Sequence, residues 1–81
     1  MVKLYDTILE DDKADEIMEE DGMESRDEAA MFYFRNIIEC DPSNYKLDDM
    51  PTYKEFVGEI YGNWELYHDY GAGYYFAAKE V

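Results

Sequence analysis

Hydrophobic and polar positions follow a helical period most clearly in residues 52–69. At 100° per residue, the large apolar side chains of this segment fall within about 140° of a helical wheel; they are Tyr53, Phe56, Val57, Ile60, Tyr61, Trp64 and Tyr67. Thr52 and Glu55 have the spacing of a capping box. The pattern therefore predicts an amphipathic helix over residues 52–69, even though Gly58 and Gly62 each cost about 1 kcal/mol relative to alanine.

A second helical pattern covers residues 25–40. Ser25 is a suitable N-cap, with Glu28 at the capping-box position. The predicted buried stripe consists of Ala30, Tyr33, Phe34 and Ile37, flanked by Met31 and Ile38. Phe32 falls on the opposite side of the wheel. It either packs under a neighbouring loop or is an exposed anchor for a partner, since aromatic residues are enriched at binding hot spots.

A shorter helix is predicted over residues 12–21, because Gly22 is a natural residue to end it. Ala14, Ile17 and Met18 supply its narrow apolar edge. The first nine residues do not continue this face, and they are predicted as either an extended strand or a separate helical turn. The tail, residues 74–81, is equally open between strand and helix.

Together these patterns predict a mainly α fold. We expect one small domain over residues 1–81 that contains three amphipathic helices, at about residues 12–21, 25–40 and 52–69. The alternative is an α+β domain in which the N-terminal and C-terminal segments form a short strand pair. No repeat or linker divides the chain.

Charge changes this picture more than any other property. Between residues 10 and 28, eleven of nineteen residues are Asp or Glu, opposed only by Lys13 and Arg26. The formal net charge is −14 on 81 residues, whereas a small domain stays soluble with a net charge of about 2–8. Hydrophobic residues make up 47% and aromatic residues 17% of the chain, far above acidic disordered tails. We therefore expect a folded domain whose charge is its functional feature.

The acidic residues of the first predicted helix form two rows with i,i+4 spacing. Each like-charge pair destabilises a helix by roughly 0.2–0.5 kcal/mol, so the four pairs together cost on the order of 1–2 kcal/mol. Over residues 10–28 a fully helical chain would carry one acid per about 2.6 Å, compared with one phosphate per about 1.7 Å of duplex axis. The rows are Asp11, Asp15 and Glu19, and Asp12, Glu16 and Glu20.

Catalytic and metal chemistry find little support in the sequence. His68 is the only histidine and lies at the edge of an apolar face, where packing explains it. Cys40 is the only cysteine and is flanked by acids that disfavour a reactive thiolate. An EF-hand frame that puts Gly22 at loop position 6 requires a carboxylate at Ile17, so it fails. We therefore expect a non-enzymatic protein with no cofactor and no bound metal.

In its acidity, small size and abundant Tyr and Phe, the chain resembles the DNA-mimic inhibitors encoded by phages and plasmids. That class includes anti-restriction and anti-CRISPR proteins. The resemblance lies in charge layout over residues 10–28 and not in a motif. It implies a non-enzymatic inhibitor, often dimeric, that occupies the nucleic-acid groove of a bacterial defence nuclease.

On this hypothesis the partner is a basic nucleic-acid-binding host protein in the bacterial cytoplasm, a homodimer being left open. Nucleic acid itself and anionic membranes would repel the chain. The aromatic cluster Tyr74, Tyr75 and Phe76 is either a further anchor or part of the core. The predicted partner-binding residues are Glu10, Asp11, Asp12, Asp15, Glu16, Glu19, Glu20, Asp21, Glu24, Asp27, Glu28 and Phe32.

Two other functions fit a small acidic chain. An immunity protein or antitoxin would neutralise one basic toxin, and it could bind beside the toxin's active site without excluding substrate. A structural or adaptor component of a phage particle would use its acid only for solubility. A mimic differs from both, because nucleic acid must compete with it for its target.

Overall fold

A computed structural model describes all residues, Met1–Val81, as a two-layer α+β domain. The strands are β1 (Val2–Tyr5), β2 (Leu9–Glu10), β3 (Tyr45–Asp48), β4 (Glu55–Glu59), β5 (Glu65–Asp69) and β6 (Tyr74–Glu80), and the helices are α1 (Asp11–Glu20) and α2 (Arg26–Cys40). A tight turn at Tyr61–Asn63 joins β4 to β5. The prediction of a mainly α, three-helix fold is therefore wrong.

All six strands form one antiparallel sheet. Its order is β3-β1-β6-β5-β4, and β2 pairs with the start of β6. β1 pairs with the other end of β6, with Leu4 opposite Ala78, while Leu9 of β2 lies opposite Tyr75. β1 and β2 thus line the same side of β6. The first and last segments of the chain do pair, but as the centre of a six-stranded sheet.

Both helices pack on one face of this sheet, and the core lies between the layers. Strand residues reach it from alternate positions, as a half-covered antiparallel sheet requires. Leu66 of β5 and Ala77 of β6 lie opposite each other on this face and are completely buried. The core cluster contains Tyr5, Leu9, Ala14, Ala30, Phe34, Ile38, Ile60, Trp64, Leu66, Tyr75 and Ala77.

Helix α2 begins, and helix α1 ends, where the sequence signals predict. The Ser25 hydroxyl accepts a hydrogen bond from the Glu28 backbone N–H at 3.1 Å, which confirms the N-cap of α2. Gly22 follows α1 with φ +64°. The Met23 N–H bonds the Met18 carbonyl at 2.9 Å, which is the i to i−5 bond of a Schellman ending.

Residues 52–69 form a β-hairpin and not the predicted third helix. Phe56 of β4 lies opposite Tyr67 of β5, and Glu59 lies opposite Glu65. Aromatic and β-branched residues favour strands, and from residue 64 onward the same residues also satisfy a period of two. Trp64, Leu66 and His68 alternate with Glu65, Tyr67 and Asp69, so neighbouring members of the series face opposite sides of the sheet.

The helical wheel was misleading because of two backbone features of this hairpin. Gly62 and Asn63 adopt φ +69° and +67°, the left-handed region that a right-handed helix excludes. The pairing register also shifts between Phe56 and Gly58, which indicates a β-bulge. The bulge puts one extra residue into β4, so the apolar residues on either side of it no longer follow a simple alternation.

The second face of the sheet carries no helix. The connection from β3 to β4, residues 49–54, crosses this open face, because the two strands occupy opposite edges. Seven residue steps reach about 25 Å at most, and four strand spacings need about 19 Å, so the connection has little spare length. Along its path Pro51 lies beside Tyr74 and Phe76, and Tyr53 packs on Tyr70 with ring centroids 6.1 Å apart.

Candidate partner-binding surface

Helix α1 displays most of the acidic run, and the sheet fixes its N-terminus. The helix follows β2 directly, and the Asp11 N–H bonds the Gly73 carbonyl at 3.1 Å. Ala14 is completely buried against the core. Asp11 and Asp12 stand in the first turn, where negative charge is favourable to the helix dipole. The predicted acidic helix therefore exists and packs against the rest of the domain.

Arg26 pairs with two acids of the row Asp11, Asp15 and Glu19, which we call the inner row. Its guanidinium Nε lies 2.9 Å from Asp15 Oδ1 and its second terminal nitrogen 3.4 Å from Asp15 Oδ2, while Asp11 Oδ2 lies 3.4 Å from the other terminal nitrogen. The hydrogen bond to Asp15 raises the pKa of Arg26. The arginine thus relieves the repulsion between Asp11 and Asp15.

His68 completes this network from the sheet. Its Nε2 lies 2.9 Å from Asp11 Oδ1, and its side chain is 19% exposed. The ring packs against the Tyr75 ring with centroids 4.5 Å apart. Sequence periodicity had placed His68 on the edge of a helix, whereas it lies on β5 and ties the sheet to α1.

Tyr75 links the sheet to the start of α2. Its hydroxyl donates a hydrogen bond to Asp27 Oδ1 at 2.5 Å, although the residue is only 2% exposed. Burial raises the pKa of Tyr75 well above the usual 10.0, and the bond to Asp27 raises it further. Asp27 therefore acts as the acceptor for a buried hydroxyl.

The structure divides the predicted acidic residues into two groups. Asp11 and Asp15 are half-buried in the network with Arg26 and His68, so their charge is largely committed within the domain. Asp27 is exposed but accepts from Tyr75. The remaining predicted acids are exposed: Glu10, Asp12, Glu16, Glu19, Glu20, Asp21, Glu24 and Glu28.

Few partners compensate this exposed group. Lys13 pairs with Glu16 at 3.3 Å, but both side chains are more than half exposed, so the pair is worth less than about 1 kcal/mol. The Glu28 carboxylate accepts from the Glu24 N–H at 3.3 Å. Glu19 and Glu20 stand in the last turn of α1, which has no basic residue, so they oppose the helix dipole.

The charge density of α1 is close to that of one nucleic-acid strand. Its ten residues contain six acids and one lysine, and at 1.5 Å per residue they span about 15 Å. One net negative charge therefore falls every 3 Å or so, or about every 4 Å once Arg26 is counted, against about 3.4 Å per phosphate on a single strand. This density is below the duplex value.

The predicted aromatic anchors differ in exposure. Phe32 is 46% exposed on the outer side of α2, consistent with the position assigned to it from sequence. Tyr75 and Phe76 are 2% and 3% exposed, so most of the C-terminal aromatic cluster belongs to the interior of the domain. Tyr74 is half-buried on the open face beside Pro51.

The surface depressions are open and shallow. The largest next to α1 has a volume of about 350 Å³ and lies between Ile8, Leu9, Glu16, Ile17 and Tyr33. No group of three or more His, Cys, Asp or Glu side chains is arranged to hold a metal ion. Neither helix has the length and apolar character needed to cross a membrane.

Comparisons with protein-family models, with curated proteins and with solved structures find no match to this chain.

Sequence reasoning missed the ionic network because its members are far apart along the chain. Arg26 and Asp15 are separated by 11 residues, and His68 and Asp11 by 57. The only local signal was Arg26 itself, a single cation within an acidic run. Periodicity cannot show which acid meets it, since that depends on how α2 folds back on α1.

Proposed function

We propose that this domain is a non-enzymatic inhibitor whose α1 carboxylates take the place of phosphates in the basic groove of a nucleic-acid-binding protein, such as a bacterial defence nuclease. The observation that carries the proposal is the second row of acids on α1, Asp12, Glu16 and Glu20, which we call the outer row. All three side chains are exposed on a helix that packs against the core, and Lys13 is their only cationic partner.

The spacing of this row suits a phosphate-binding groove. Successive members are four residues apart and so rise by about 6 Å along the helix. Because the sheet and the core hold α1 in place, little ordering is needed on binding, and pre-formed surfaces lose less entropy when they associate. A strongly acidic surface also accelerates encounter with a basic partner.

The energetic cost of the acidic surface supports the same proposal. Acids in the last turn of α1 oppose the dipole, and like charges in the outer row repel one another. A domain of this size is only marginally stable. Charges that lower stability and have no internal partner are explained by an external one.

The test is capture of basic proteins from a bacterial lysate at low ionic strength on the immobilised domain. We expect the variant D12K/E16K/E20K to lose at least tenfold in the amount captured, because each reversal replaces an attraction with a repulsion. Duplex DNA added to the wild-type resin should release the same proteins at constant ionic strength.

The matched control is D6K/E39K/E80K, which changes the net charge equally on exposed positions outside α1. It should retain most of the capture. If the two triple variants lose capture equally, net charge alone explains binding and the α1 surface has no special role. Circular dichroism spectra of both variants establish that they remain folded.

The same assay separates the mimic from an immunity protein or antitoxin. An immunity protein that binds beside an active site tolerates substrate, so DNA would leave its complex intact. DNA-insensitive capture of a single toxin would therefore replace the present proposal with that second function.

A further inference from the structure

The two edges of the sheet differ in how well they are protected against pairing with another strand. β4, at one edge, is interrupted by the bulge between Phe56 and Gly58 and has Glu55 and Glu59 at its ends. Antiparallel self-pairing about Val57 would place Glu55 opposite Glu59 of a second copy. A bulge and opposed like charges are two ways in which proteins block edge pairing.

β3, at the other edge, has neither form of protection. Its residues Tyr45, Lys46, Leu47 and Asp48 pair with β1 in continuous register, without a bulge or a proline. The strand carries one positive and one negative charge and is therefore neutral, in a chain of net charge −14. Leu47 is 53% exposed.

The backbone of β3 offers hydrogen bonds outward at Leu47. The Asp6 N–H bonds the Asn44 carbonyl at 2.9 Å, so residue 44 faces β1. Bonding in an antiparallel ladder alternates from residue to residue. Lys46 and Asp48 therefore also face β1, whereas the N–H and C=O of Leu47 point away from the sheet.

We propose that β3 pairs with β3 of a second copy, antiparallel and centred on Leu47. In this register Leu47 of each copy exchanges both backbone hydrogen bonds with Leu47 of the other. Lys46 of each copy then lies opposite Asp48 of the other. The sequence Lys-Leu-Asp is thus complementary to itself in the register that uses the outward backbone groups of Leu47.

The charges of Lys46 and Asp48 favour a second copy of the chain as the partner of the β3 edge. Lys46 and Asp48 point to the same face, because their side chains are two residues apart on a strand, and within one copy they already approach to 4.0 Å. Between copies they would form a non-hydrogen-bonded pair, the closer kind of cross-strand neighbour. Two such ion pairs form for every dimer.

The dimer is of the small, weak class, since a register centred on Leu47 pairs only three β3 residues of each copy, Lys46, Leu47 and Asp48. The total charge of −28 on the pair also opposes association, so the measurement belongs at physiological salt, where the screening length is about 8 Å. Sedimentation of the wild type should show the weight-average mass rising with concentration toward twice that of one chain.

Two single charge reversals test the register, because together they predict a gain of association as well as a loss of it. K46D places Asp opposite Asp, and D48K places Lys opposite Lys, so each variant should remain monomeric over the whole concentration range. When mixed, the two variants restore both cross-strand pairs. We expect a one-to-one heterodimer at concentrations where neither variant associates with itself.

Association of the mixed variants would exclude the explanation that each substitution simply damages its own copy. Both variants lose the internal Lys46–Asp48 pair, so damage within one copy cannot be repaired by adding the other. A mixture that stays monomeric overturns the proposal, as does a wild type that stays monomeric at the highest concentration reached. Dimerisation that both reversals leave unchanged would place the interface elsewhere and also overturn it.

Discussion

At the residue scale, a few side chains join the acidic surface to the folded core. Arg26 binds Asp15 through two nitrogens and also approaches Asp11, whose other oxygen meets His68. These contacts use part of the acidic run for structure and leave the outer row for a partner. The same carboxylate type therefore has two roles, which are decided by whether the side chain points toward α2 and the sheet or toward solvent.

The buried hydroxyl of Tyr75 predicts how the free energy of unfolding depends on pH. Its raised pKa means that folding favours the neutral hydroxyl, and burial similarly raises the pKa of Tyr5 and Tyr67. The stabilisation is complete below pH 10 and is lost as the pH rises above the unfolded value of 10.0. The free energy of unfolding should therefore fall above pH 10, and less steeply in Tyr75→Phe.

Urea denaturation at a series of alkaline pH values measures this slope. Tyr61→Phe is the matched control, because Tyr61 is 63% exposed; it should follow the wild type. An unchanged slope in Tyr75→Phe would show that this hydroxyl does not contribute to the alkaline loss.

At the element scale, the sequence predicts helices whose ends carry local signals and misassigns the hairpin. Ser25 and Gly22 act over a few residues, so the C-terminus of α1 and the N-terminus of α2 follow from the sequence alone. For residues 52–69 the helical wheel and the strand alternation compete, and only contacts with β6 decide between them. Tyr67 stacks on Phe76 at 5.5 Å, a pairing that no local pattern contains.

Substitution of Gly62 tests whether residues 52–69 form a hairpin or the helix predicted from sequence. Its φ of +69° strains any residue with a Cβ, although space is present, since the nearest atom is Trp64 Cδ1 at 3.9 Å. Gly62→Ala should lower the free energy of unfolding by about 1 kcal/mol. In the helix predicted from sequence, the same change would instead have stabilised the protein by about 1 kcal/mol.

Thermal and urea unfolding show directly whether Gly62→Ala raises or lowers the free energy of unfolding. Glu59→Ala, an exposed neighbour in β4, serves as the control and should change stability by less than about 0.5 kcal/mol. A stabilising effect of Gly62→Ala would contradict the left-handed turn.

At the scale of the whole molecule, the two layers separate different surfaces. α1 and the loop after it present the exposed acids on the helical layer, whereas the open face of the sheet is crossed by residues 49–54. The neutral β3 lies at a sheet edge, so two copies could associate there without using α1. The acid-rich surface and the predicted contact between copies are therefore compatible.

Competition between duplex DNA and this domain for one captured target shows whether the α1 carboxylates occupy phosphate positions. The affinity of the domain for that target is measured at fixed ionic strength while the DNA concentration is increased. If α1 carboxylates occupy phosphate positions, the apparent dissociation constant rises in proportion to free DNA without reaching a limit. A plateau, with domain and DNA bound to the target together, would show that α1 does not occupy the phosphate positions.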